Sequence, residues 1–122
     1  MEDIKETITE RLFALPEEIK IYKKKDIKLT KQVTVTSNEL KIIENDMWID
    51  IYNDSTLTNE KKRNTEFVDK KLCHTEHISI SDYLAGIMSK KRDLEVELET
   101  LADEQRNLRA LCYMDHNNNI AS

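Results

Sequence analysis

The sequence predicts an all-α fold: an antiparallel coiled-coil hairpin of two long helices, with a short N-terminal helix and a short connecting helix. Three observations predict it. One glycine and one proline in 122 residues leave few positions for the tight turns and sheet corners that those residues serve. Charged residues make up 35% and aromatics 6%, a balance that suits solvated helices with narrow apolar seams. Finally, Ile80, Leu84, Ile87, Leu94, Leu98, Leu101, Leu108 and Cys112 recur at steps of three and four, or multiples of them. That is one apolar seam on a helix, sustained over coiled-coil length.

The elements follow in order within a single helical domain, residues 1–122. Residues 1–15 read as a short amphipathic helix, with Ile4, Ile8, Leu12 and Leu15 on one face. Pro16 divides it from the next helix, because proline disfavours helical geometry before it and suits a first turn. Residues 16–52 read as a long helix with the seam Ile19, Tyr22, Leu29, Val33, Leu40, Ile43 and Met47. Asp26 and Thr36 are polar seam positions, and the alternating Val and Thr of residues 32–38 are strand-like within it. Asn53 to Thr58 read as a turn, with Thr58 as N-cap of a charged helix at residues 59–72. After a break from Cys73 to Ser79, Ser79 and Asp82 outline a capping box for the last long helix, residues 80–114.

Each long helix would have about 35 residues and a length of roughly 50 Å at 1.5 Å per residue. Pairing them antiparallel buries both seams. With their ends aligned, Asp26 faces Gln105 to Arg109, and Lys91 lies near Lys41 and Glu44. Asp26 and Gln105 would then form a polar layer that fixes register. Dimerisation into a bundle is a further way to cover leftover apolar surface.

The net charge is −5. Phosphate contacts need clustered Lys and Arg without neutralising acids, so a dedicated nucleic-acid binder is not expected, whereas a basic partner surface fits. No apolar run approaches a membrane span, and the N-terminus lacks a basic-then-apolar leader. A cytoplasmic protein with reduced cysteines is expected.

Four groups of residues carry candidate chemistry. Trp48, flanked by Ile49, Ile51 and Tyr52, makes the turn end apolar around much of the helix. Either the short helix covers it with Phe67 and Leu72, or it is a contact surface. Phe13, on the edge of the N-terminal helix, either caps the hairpin or mediates dimerisation. Partner binding is therefore assigned to Phe13, Trp48, Tyr52 and Phe67.

The basic runs with Lys23, Lys24 and Lys25, with Lys61, Lys62 and Arg63, and with Lys90, Lys91 and Arg92 could contact phosphates, or form the charged faces of a coiled coil. Cys73 with His77, and Cys112 with His116, repeat a spacing that would supply a Cys2His2 zinc set. The hairpin places the pairs at opposite ends, so no metal or other cofactor is expected. No nucleophile has an orienting base, and a sole glycine, Gly86, excludes a glycine-rich phosphate loop. Catalysis is not expected.

Leu57-Thr58-Asn59-Glu60-Lys61-Lys62-Arg63, Asn107-Leu108-Arg109-Ala110-Leu111 and Leu15-Pro16-Glu17-Glu18-Ile19 resemble the small helical-hairpin proteins encoded by phages of Gram-positive bacteria. The resemblance spans Leu15 to Leu111 and implies a non-enzymatic accessory protein acting in the bacterial host cell. The leading expectation is a factor that binds a nucleic-acid-handling protein of host or phage, such as a defence nuclease that it inhibits. An accessory of phage DNA recombination or replication that binds DNA directly, and a structural coiled-coil scaffold, are the alternatives.

Overall fold

A computed structural model describes the backbone of residues 2–121 and the side chains of residue 4 and residues 7–114. Three helices follow one another: α1 (Glu2–Asn53), α2 (Glu60–Cys73) and α3 (Thr75–Ala121). No strand occurs among the described residues. The long helices α1 and α3 pack together. The chain divides into two compact units. Unit 1 comprises Met1–Lys28 with Lys91–Ser122, and unit 2 comprises Leu29–Lys90.

The helices differ from the sequence expectation at their boundaries, each for a local reason. Residues 1–15 and 16–52 are not separate: α1 runs through Pro16 without a break. An interior proline costs about 3 kcal/mol through its missing N–H and its clash with the preceding turn. The seam stays in phase across it, however. Leu15 is fully buried, and Leu12 and Ile19 are half-buried on either side. Arg11 also reaches across the proline to Glu18. Residues 32–38 remain helical because the three-four pattern outweighs the weak strand preference of Val and Thr. The Thr34 hydroxyl donates back to the Thr30 carbonyl, 3.1 Å away.

Unit 1 pairs the N-terminal part of α1 with the C-terminal part of α3. Leu15 and Leu101 are buried, while Tyr22, Leu94, Leu98 and Leu108 are half-buried. Arg11 forms a two-pronged ion pair with Glu104, Nε–Oε1 2.5 Å and Nη2–Oε2 3.0 Å. Further along α1, Asp26 meets Lys91 at 3.3 Å. As α1 advances its partner on α3 recedes, so the two are antiparallel here.

This register corrects the aligned-end expectation. Asp26 faces Lys91, not Gln105 to Arg109. The residue beside Glu44 is His77, not Lys91. Within unit 2 the last turns of α1 are covered by α2, so α3 begins lower, alongside Glu44. The polar level at Asp26 is an ion pair of opposite charges. Lys91 also bridges to Glu95 on its own helix.

Unit 2 holds Met47, Ile51 and Ile87 as buried apolar residues, with Thr36 and His77 as buried polar ones. Along α3 the covered positions His77, Ile80, Leu84, Ile87, Lys91, Leu94, Leu98, Leu101, Gln105 and Leu108 alternate by three and four. Thus the gaps in the apolar seam are filled by polar side chains at seam spacing.

Candidate functional site: an aromatic and cationic face on unit 2

The loop after α1 is closed by Asp54. Its carboxylate accepts from the Thr56 backbone N–H at 2.9 Å and from the Thr56 hydroxyl at 2.6 Å. These bonds, the hydroxyl first, hold the Asp54 carboxyl below its usual range, helped by the charge of Lys70. Asn59, rather than Thr58, caps α2. Its side-chain oxygen accepts the Lys62 N–H at 2.9 Å, from an extended backbone (φ −141°, ψ 166°). Asn59 can reach that N–H because Glu60 is the first helical residue.

α2 fully buries none of its own residues, so its attachment rests on one face. Arg63, Phe67 and Lys71 recur every four residues, as do Trp48 and Tyr52 on α1, so each set lies along one helix side. The Phe67 ring stacks on Trp48 with centroids 4.3 Å apart and planes 18° apart. Tyr52 lies 5.9 Å from Trp48. Lys71 Nζ stands 4.5 Å over the Phe67 ring, and the Arg63 guanidinium carbon 5.0 Å over the Tyr52 ring. Such cation–π contacts contribute about 0.5–1 kcal/mol each at exposed sites.

Trp48 and Phe67 are half-buried against each other, while Tyr52 is 62% exposed. Val68 and Leu72, also on α2, are exposed. The structure therefore brings together three of the four expected partner-binding residues, with Trp48 and Phe67 as packing and Tyr52 as surface. Phe13 belongs to unit 1 and is 82% exposed.

The expected break from Cys73 to Ser79 shrinks to one residue, His74. It ends α2 in an extended conformation (φ −89°, ψ 102°), its N–H donating to the Lys71 carbonyl. Its Nδ1 accepts the His77 N–H at 3.0 Å, and its carbonyl accepts from Ile78 at 3.0 Å. His74 thus closes one helix and caps the next, and Ser79 is left inside α3. His77 therefore lies inside α3 and not in a break. It is 8% exposed, with Nε2 3.0 Å from Glu44 Oε1 and Nδ1 3.5 Å from the Ser81 hydroxyl.

An open cleft of about 340 Å3 lies beside this junction, lined among others by Asp46, Asp50, Lys70, Cys73, His74 and Glu76. Cys73 is an exposed free thiol at the end of α2. Cys112 is likewise exposed and belongs to unit 1. The His116 side chain lies outside the described residues. No group of three or more His, Cys, Asp or Glu is arranged to hold a metal among the described residues.

The basic runs fare differently. Lys23, Lys24 and Lys25 are exposed, and Lys25 Nζ sits 5.3 Å over the Tyr22 ring. Lys61 and Lys62 are exposed beside the Asn59 cap, whereas Arg63 is committed to Tyr52. Lys91 is drawn into its pairs with Glu95 and Asp26, which raise its pKa above the ordinary 10.5. Arg11 is raised mainly by its hydrogen bond to Glu104, which lowers the Glu104 carboxyl in turn.

Sequence reasoning missed the role of Lys71 and the Glu44–His77 pair. The four-residue spacing from Arg63 through Phe67 to Lys71 was the available signal for the first. The second depended on the register. No helix of the described residues is long and apolar enough to cross a membrane. No family model, no curated protein and no solved structure matches the chain.

Proposed function

We propose that the chain is a non-enzymatic protein-binding factor, a coiled-coil hairpin that engages a partner protein through the aromatic and cationic face of unit 2. The observation that carries this reading is the 62% exposure of Tyr52 beside a stacked Trp48–Phe67 pair flanked by Arg63 and Lys71, with Val68 and Leu72 (49% and 69% exposed) on the neighbouring side of α2 toward Ile78. Aromatic and arginine side chains dominate protein interfaces energetically, and contiguous apolar surface marks docking sites. The seven-residue repeat of covered positions on α3 supports the coiled-coil part of the reading.

The partner we propose is a nucleic-acid-handling protein of a Gram-positive bacterium or its phage, anchored at this face and inhibited where the chain's acidic residues outside it meet its basic surface. This rests on the net charge of −5 and on the sequence resemblance. A second reading, direct DNA binding by a phage recombination or replication accessory, draws on the exposed Lys23, Lys24, Lys25, Lys61 and Lys62.

The test is capture from lysate of phage-infected Gram-positive cells, with and without nuclease treatment, followed by mass spectrometry, with wild type and a Tyr52→Ser/Leu72→Ser variant as paired baits. The reading expects a protein retained by wild type and lost with the variant. Retention that disappears on nuclease treatment favours DNA binding. Equal capture by both baits removes the proposed face.

A further inference from the structure

α1 carries an apolar stripe that the packing of unit 2 does not use. Val35, Ile42 and Ile49 are 58%, 63% and 57% exposed. They stand seven residues apart, close to two helical turns, and so fall on one line spanning roughly 21 Å at 1.5 Å per residue. Asn38, Glu39, Asn45 and Asp46, which share that face, are all exposed. Isolated exposed apolar residues need no explanation, but three in strict register form a seam.

We propose that this stripe is the interface between two copies of the chain, paired antiparallel about a two-fold axis through Ile42. The operation places Ile42 on the same residue of the second copy and Val35 against Ile49, so every apolar residue meets an apolar one. The polar residues then decide the direction. In the antiparallel arrangement Asn38 faces Asp46, Asn45 faces Glu39, and Lys31 faces Asn53. Both carboxylates of the face then meet an amide. Parallel pairing in register would instead place Glu39 on Glu39, Asp46 on Asp46 and Lys31 on Lys31, and like charges across an interface are unfavourable. A self-complementary patch of this kind is what a two-fold dimer requires.

The contact is small. Three apolar side chains per copy cover well under the roughly 800 Å2 per partner of a standard interface, so the dimer is weak and reversible. Tyr52, three residues on from Ile49, borders the stripe, so the two surfaces are told apart by their variants: Ile42→Glu acts on self-association and Tyr52→Ser/Leu72→Ser on partner capture.

Sedimentation equilibrium of the full chain from about 1 to 500 µM tests it. The expected result is a concentration-dependent rise from monomer to dimer mass that Ile42→Glu abolishes. Circular dichroism should be unchanged in that variant, since Ile42 is exposed. Direction is read by oxidative cross-linking in a Cys73→Ser/Cys112→Ser background. Ile42→Cys chains should cross-link to each other, and a mixture of Val35→Cys and Ile49→Cys chains should cross-link more than either alone. A monomer throughout, an Ile42→Glu variant that still dimerises, or Val35→Cys chains that cross-link best among themselves would each overturn the proposal.

Discussion

The most informative perturbation is Phe67→Ala, because α2 is held to α1 chiefly through that ring. A helix of 14 residues is marginal in water on its own, so its order depends on what it covers. The substitution removes the stacked contact with Trp48, worth about 0.5–1.5 kcal/mol beyond area burial. It also removes the burial of a largely covered ring, about 1–2 kcal/mol, and the platform under Lys71, about 0.5 kcal/mol. Allowing for overlap between these contributions, α2 loses about 2–3 kcal/mol of attachment, a rise of about 30- to 150-fold in its local opening constant. Native-state hydrogen exchange reads this directly. Amides of α2 should lose protection by that factor, while those from His77 to Ile87 keep theirs. Unchanged protection in α2 would mean that the ring stack does not hold it. Equal loss in both segments would mean that α2 is not a separable layer.

Other outcomes follow from single features. Gly86→Ala should stabilise the protein by about 0.5–1 kcal/mol in a denaturant titration, because a Cβ there meets nothing within 4 Å and α3 gains helix propensity. Replacing Asp26 and Lys91 together by Leu should raise the melting temperature, since a partly covered ion pair gives way to an apolar layer; a fall would show that the pair stabilises rather than specifies register. Leu15→Ala should cost about 3–4 kcal/mol, because the residue is fully buried and the seam on either side of Pro16 cannot collapse easily. The Glu104 carboxyl is lowered from its ordinary 4.5 by Arg11. Its contribution is therefore complete above that pH and lost as pH falls through the folded value. Glu104→Gln should flatten the acid limb of the stability profile and leave the neutral region comparatively unchanged in shape.

The all-helical class was legible because glycine and proline are scarce and the seams are long. So were the residues that line them: Leu15, Met47, Ile87 and Leu101 are all seam positions and all buried. The site was partly legible. Trp48 and Phe67 were read as either packing or surface, and the rings turn out to stack. Three things were hidden. Pro16 signals a break by local preference, but burial of Leu15 and the ion pairs of Arg11 override it. His77 looked like a loop residue because Ser79 offered a plausible cap; His74 capped the helix earlier with a ring nitrogen. The register could not be found by aligning helix ends, because α2 covers the last turns of α1 and moves α3 along it. The stripe at Val35, Ile42 and Ile49 is present in the spacing, but Ile43 beside it belongs to the seam and residues 32–38 are strand-like, so periodicity alone does not single it out.

His74 has a mechanical consequence. α2 is joined to α1 by the six residues Asp54 to Asn59 but to α3 by His74 alone, which makes that residue a pivot. Anything that parts Phe67 from Trp48 must swing α2 about His74. Its far end would then sweep an arc of roughly 20 Å radius, given 14 residues at 1.5 Å each. The same residue holds the His77 N–H through Nδ1, and the His77 ring meets Glu44. A force applied at the Arg63 end of α2 is therefore delivered, with leverage, to a buried contact between α1 and α3 within unit 2. Grip on the outer helix and tension on the inner pair are two ends of one lever.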